Sequence, residues 1–166
     1  RAEHVPTHGG SLRVTVGSPL LRTAENDKTV QDILHDEKTA AVNSPAAWAL
    51  LQAKVQKAKL RLKGQLNAIY TEDPDATVVG FGAPAKATTL MYAMGLKAGD
   101  LDYIVDDSKL KQGLFTPGLG IPVKAPDVLL EDRPAYVIVL AWNFAPSIIA
   151  KWKPILPHTT FIVPFE

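Results

Sequence analysis

The sequence predicts an α/β protein: a Rossmann-like, doubly wound parallel sheet of about five strands, preceded by an N-terminal strand and a long helix. Three observations carry that expectation. From Pro74 onward, short apolar runs alternate with helix-period segments, and strands that are apolar throughout read as buried on both faces of a parallel sheet. The run Thr77-Val78-Val79-Gly80-Phe81-Gly82-Ala83-Pro84-Ala85-Lys86 passes from such a strand through a glycine turn into a helix, as a nucleotide-binding βα turn does. The chain has 166 residues, 46% of them hydrophobic and 21% charged, which suits one core and one main domain.

Taken in order, Gly10 to Val16 alternates like a half-buried strand, and Gly17-Ser18-Pro19 ends it. Thr23 to Val42 is polar and helix-prone. Ser44-Pro45 then offers an N-cap and a first-turn proline for a long helix ending near Ile69 or Tyr70. Along it Trp48, Leu51, Val55, Ala58, Leu62, Leu66 and Ile69 recur at three- and four-residue steps and share one stripe. Thr77 to Gly82 is a buried strand, Pro84 to Gly95 a helix closed by its glycine, and Leu101 to Asp106 a second strand. Ile121-Pro122-Val123 is at most an edge strand, because proline cannot donate to an interior ladder. Ala125 to Leu130 reads as a short helix, Ala135 to Ala141 as a central strand, Pro146 to Lys153 as a helix and Thr159 to Val163 as a last strand. Right-handed crossovers give the order 3-2-1-4-5. The expected domains are residues 1–22 as a leading segment, 23–72 as a helical region packing on the sheet, and 73–166 as the Rossmann-like domain.

Composition narrows the function. A net charge of +1 leaves no concentrated basic field for nucleic acid or a membrane surface. Lys54, Lys57, Lys59, Arg61 and Lys63 crowd one helix, yet without interleaved aromatics they read as a solvated face. The absence of cysteine removes disulfides, thiolate metal sites and a cysteine nucleophile, so no metal is expected and a reducing cytoplasm is the default compartment. No apolar run reaches membrane-spanning length, and no signal-peptide pattern opens the chain at Arg1.

Ligands of open α/β sheets bind beyond the carboxyl ends of the strands, at the switch point. Gly80 to Lys86 and Ala141-Trp142-Asn143-Phe144 fall there. Gly80, Gly82 and Ala83 would let a phosphate approach the helix N-terminus, and Lys86 adds a cation that a dinucleotide fingerprint does not need. Asp106, 26 residues beyond Gly80, either accepts bonds from a ribose diol or caps the next turn. For Asp107 the cap is favoured. Asn143 is either a ligand contact or the N-cap of the next helix, and Lys111 is either a diphosphate contact or an ordinary exposed lysine. His4, His35 and His158 match no motif and read as surface residues.

In combination these residues resemble a family. Gly80-Phe81-Gly82-Ala83-Pro84-Ala85-Lys86, Val105-Asp106-Asp107-Ser108 with Lys111-Gln112-Gly113, Pro117-Gly118, Ile121-Pro122 and Ala141-Trp142-Asn143-Phe144 follow one another as in the C-terminal domain of S-adenosylmethionine-dependent sugar C-methyltransferases. Thr7-His8-Gly9-Gly10-Ser11-Leu12-Arg13 is similar to the segment that leaves their catalytic domain. The resemblance implies an enzyme part that binds a nucleotide-linked keto-deoxysugar. It implies a methyltransferase domain upstream, which holds the S-adenosylmethionine, so this stretch alone is incomplete as a catalyst and carries no cofactor itself. The zinc-binding segment of the family does not transfer, because no cysteine is present. The family chemistry removes a proton beside a ketone, and the resemblance gives that base role to His8. Lys86 and Lys111 would then neutralise the diphosphate. The chain departs from the family at Leu119-Gly120, where Thr-His is common, and at Ala87-Thr88-Thr89, where a glycine and an asparagine are common. Two other classes stay open: an NAD(P)-binding domain of an oxidoreductase, and a ligand-free domain that buttresses a catalytic one.

Overall fold

The computed structural model describes residues 1–21 and 23–165, without the side chains of His8 and Leu21. The chain divides into two compact units, residues 1–53 and 54–166.

In the first unit, β1 (Ala2–Val5) pairs antiparallel with β2 (Ser11–Val14), setting Ala2 opposite Val14 and Val5 opposite Ser11. Only β2 was legible in the sequence, since Ala-Glu-His-Val carries too little alternation to announce a strand. A 3-10 turn at Thr7–Gly9 joins the two, and the Ser11 hydroxyl donates to the Thr7 carbonyl at 2.9 Å. The first helix, α1 (Ala24–Thr39), starts where Thr23 Oγ1 accepts from the Asn26 N–H at 3.1 Å. None of its residues is buried. The second, α2 (Pro45–Glu72), whose residues from Lys54 on belong to the second unit, begins as expected: Ser44 Oγ accepts from Ala47 N–H at 3.1 Å and Pro45 takes the first helical position. Trp48 and Leu51 are 61% and 52% exposed, so the expected stripe is not buried at its start. Burial begins further along, with Val55 partly covered and Ala58, Leu62, Leu66 and Ile69 buried.

The second unit is the doubly wound sheet. Its elements are β3 (Val78–Phe81), α3 (Ala85–Met94), β4 (Ile104–Val105), β5 (Val123–Lys124), α4 (Val128–Asp132), β6 (Tyr136–Val139), α5 (Ala145–Trp152) and β7 (Thr160–Ile162). All pairings between these strands are parallel, and the spatial order β5-β4-β3-β6-β7 is the expected 3-2-1-4-5. Gly80 lies opposite both Ile104 and Ile138. Successive strand residues point to opposite faces. Val78, Ile104 and Ile138 therefore meet Leu62, Leu66, Leu90, Met91 and Met94 on the α2–α3 side, while Val79, Phe81, Val105 and Val137 meet Leu129, Trp152 and Leu156 on the other. Gly95 closes α3 in the left-handed conformation, with φ 68°. The strand read over Leu101 to Asp106 shrinks to two residues, partly because the Asp102 carboxylate accepts the Val78 N–H at 2.9 Å. Of the basic residues on α2, Lys54 and Lys57 are exposed, as a solvated face requires. Arg61 instead donates to the carbonyls of Val163 and Pro164 at 3.0 and 2.9 Å.

Candidate functional site

The switch point lies between β3 and β6, where the chain leaves the sheet toward opposite faces. Gly82 turns there with φ 90°, donating to the Val105 carbonyl at 2.7 Å. A Cβ at Gly82 would stand 2.5 Å from Ala141 Cβ, so both the dihedral and the close packing require glycine. Gly80 has another role: it lies inside β3, and a Cβ would meet Ile104 and Leu140 at 2.8 and 2.9 Å. Its glycine is accounted for by core packing alone.

Beyond the turn, Pro84 precedes α3 in an extended conformation and supplies no capping side chain. No side chain of Pro84 competes for the first N–H groups of α3, which carry the positive end of the helix dipole, although the Ala87 N–H already donates to the Pro84 carbonyl at 2.8 Å. Lys86 sits in this first turn, its Nζ 4.3 Å from the centre of the Trp142 ring. Trp142 in turn meets Phe165 edge-on at 5.7 Å. The sequence placed Trp142 at the switch point without giving it a role; its signal was an aromatic residue beside Asn143 in the loop after a central strand.

Asp106 ends the β4 segment and is 8% exposed. Its carboxylate accepts the Ala83 N–H at 2.6 Å, the Ser108 N–H at 2.9 Å and the Lys111 ammonium at 3.3 and 3.2 Å. Burial alone would raise its pKa. The hydrogen bonds from Ala83, Ser108 and Lys111, with the charge of Lys111, outweigh that and hold it below the ordinary carboxylate value. Gln112 Nε2 donates to the Asp106 carbonyl at 2.9 Å. Asp106 therefore ties the end of β3 to the loop after β4, and it makes the cap expected of Asp107. The Ala83 N–H is spent on the same bond. Lys111, expected on its bland reading to be free, is paired.

Asn143 lies in a 3-10 turn, Trp142–Phe144, and the N-cap of α5 is Phe144 with no side-chain bond. The turn displaces Asn143 from the cap position by one residue. On the α5 side of the Gly82 turn opens a cleft of about 400 Å³. Phe81, Phe144, Ile148 and Trp152 give it apolar walls, and Asp107, Ser147 and Lys151 its polar groups. Trp152 meets Phe81 edge-on at 6.0 Å, and its buried indole Nε1 has no hydrogen-bond partner among the described residues. A smaller hollow of about 310 Å³ opens beside Ala83 and Lys111, walled by Met91, Leu114 and Phe115.

Of the residues singled out in sequence, the structure brings Gly82, Ala83, Lys86, Asp106, Lys111 and Asn143 to the carboxyl ends of the strands. His8 belongs to the first unit, in the turn between β1 and β2, and its side chain lies outside the described residues. Arg13 is exposed and pairs with Glu3 at 3.4 Å. His4, His35 and His158 are on the surface, as expected. Among the described residues no group of histidine, aspartate and glutamate is assembled to hold a metal, and no helix is long and apolar enough to cross a membrane.

An all-parallel sheet of this order, with a glycine turn and a cleft at its switch point, defines a Rossmann-like domain. Residues 6–165 match the family described as the C-methyltransferase C-terminal domain, and the chain belongs to that family. The chain is also similar to the C-methyltransferase NovU of Streptomyces niveus, at 30% identity over 158 residues. That match takes in 95% of this chain and 37% of the relative, so the chain spans just over a third of the relative's length. The family membership read from the motifs is borne out: the chain carries a C-methyltransferase C-terminal domain.

Proposed function

We propose that this domain holds a nucleotide-linked keto-deoxysugar for methylation at carbon, as the substrate-binding part of an S-adenosylmethionine-dependent enzyme that is incomplete without a methyltransferase domain. The observation that carries the reading is Lys86: a cation in the first turn of an uncapped helix, steadied over Trp142, at the switch point of a parallel sheet. A diphosphate suits that combination of dipole, N–H groups and charge. Lys111 is the second candidate, its charge shared with Asp106. Gly82 keeps the turn low beside the ligand, and Asn143 lies in the turn that follows β6 at the same end of the sheet.

S-adenosylmethionine, when bound, supplies an electrophilic methyl group. Its sulfonium is a cation, and the cleft sets Lys151 against its one unpaired carboxylate among the described residues, Asp107, with Lys86 at the neighbouring helix start, so these residues carry no net negative charge to hold the donor. The donor is assigned to a methyltransferase domain outside this chain, and the side chains that the first unit leaves exposed, such as Trp48 and Leu51, support a domain contact there. His8 is assigned as the base: its imidazole takes the proton from the carbon beside the ketone, and the C–H electron pair passes into an enolate.

Titration with a nucleoside diphosphate tests the binding half. Lys86→Ala is expected to weaken it about tenfold, the worth of one charge-assisted contact; an unchanged affinity rejects the reading. NADH gives a flat fluorescence response if the domain is not a dinucleotide site. For the base, His8→Asn in an enzyme carrying its methyltransferase domain should slow donor-independent exchange of the substrate's acidic C–H in deuterated water by about 100-fold or more. Exchange at the wild-type rate removes His8 from the mechanism.

A further inference from the structure

The cleft on the α5 side of the turn holds one carboxylate that the fold does not use. Asp106, which stands where dinucleotide folds keep their ribose ligand, has both oxygens engaged by Ala83, Ser108 and Lys111. Asp107 lines the same cleft, is exposed, and makes no hydrogen bond or ion pair among the described residues. The structural task of a capping aspartate is thus filled by its neighbour. Around Asp107 the cleft combines an aromatic and aliphatic wall, from Phe81, Ile148 and Trp152, with the Ser147 hydroxyl. An apolar wall facing a free acceptor fits a hydroxylated ring: one face of the ring covers the wall while its edge donates outward.

We propose that Asp107, rather than Asp106, is the carboxylate that accepts hydrogen bonds from the ligand's pentose, so that the nucleoside end of the substrate lies in the α5-side cleft. The inference rests on the diphosphate reading above. It runs against simple electrostatics, because a free carboxylate beside a diphosphate site repels every anion alike. That conflict makes the proposal testable by sign. Neutralising a carboxylate that only repels strengthens the binding of all anions, whereas neutralising one that accepts from a pentose weakens only the ligands that carry the pentose.

The experiment is titration calorimetry of the wild-type protein and Asp107→Asn with inorganic pyrophosphate, UDP and UDP-glucose. We expect the substitution to weaken UDP about five- to tenfold while pyrophosphate binds as tightly or more tightly. The thermal midpoint should stay unchanged, because Asp107 has no internal partner. Tighter binding of UDP by Asp107→Asn overturns the inference and leaves the diphosphate reading standing. Unchanged UDP with weakened UDP-glucose also overturns it, placing the hexose rather than the pentose on Asp107. Failure of the wild type to bind pyrophosphate or UDP overturns the diphosphate reading, and this inference with it. Asp106→Asn serves as the contrast, since it should lower the thermal midpoint.

Discussion

The two compact units solve the problem of apolar surface in opposite ways. Every buried hydrophobic among the described residues except Ala2 belongs to residues 54–166, where two clusters fill the two faces of the sheet. Residues 1–53 instead leave Leu12, Val14, Val16, Leu20, Leu34, Val42, Trp48, Leu50 and Leu51 exposed, and α1 buries nothing. The first unit is held by local devices: the β1–β2 ladder, the Thr23 and Ser44 caps, and a bond from the Ala2 N–H to Thr29 Oγ1 at 3.0 Å. Such bonds fix conformation but contribute only about 1 kcal/mol each. The difference teaches that the sheet unit carries the stability, while the first unit offers surface.

The largest effect should come from the sheet unit's core. Leu62, 1% exposed, packs between α2 and the sheet, so Leu62→Ala should lower stability by about 2 to 5 kcal/mol in a denaturant melt. Less than about 1 kcal/mol would break the contrast at once. Next comes Gly82→Ala, which places a methyl group 2.5 Å from Ala141 Cβ on a backbone of positive φ. A loss of about 1 to 3 kcal/mol is expected, together with weaker nucleoside diphosphate binding. Full stability in Gly82→Ala would mean that the turn relaxes freely.

What the sequence made legible follows the same division. In the sheet unit, β6 and α3 announce themselves by unbroken apolar runs and a closing glycine, and the strand order follows from right-handed crossovers. In the first unit, β1 has no such signature, and the stripe from Trp48 to Ile69 cannot say where its cover begins. Period reports which residues share a face, not how much of that face meets a partner. At the site, Gly82 and Lys86 were legible as a turn and a cation. That Asp106 is consumed by Ala83, Ser108 and Lys111 was not, because those partners converge only when β3 and β4 lie side by side. Trp142 under Lys86 is likewise a product of the fold.

Asp106 supplies a third, smaller test of how the sheet unit's crevice is held. Asp106→Asn loses the charge opposite Lys111 and should lower stability by about 1 to 2 kcal/mol at neutral pH. Since the folded state depresses the pKa of this carboxyl, its contribution is complete above the ordinary carboxylate value and fades as pH falls through the lower folded value. The gap between wild type and Asp106→Asn should therefore be constant from about pH 6 to 8 and begin to narrow below about pH 4. A gap that does not narrow at all as pH falls from about 4 to 2 would assign the effect to shape rather than charge.

The smallest expected effect bears most directly on the first unit. Trp48 is the largest apolar side chain this unit leaves exposed, at 61%. Removing it should change the stability of this chain by no more than about 0.5 kcal/mol, since the folded state gains little from a ring that remains in water. A loss of about 3 kcal/mol would mean that the ring is covered in the folded chain, and the contrast between the units would fail. The same Trp48→Ala change in a protein that also carries the methyltransferase domain separates two origins of the exposure. If a domain packs there, the substitution should lower the melting temperature of the longer protein while leaving this chain's nearly unchanged. If the ring faces solvent in both, the two shifts should match, and the proposed contact would have to lie elsewhere on the first unit.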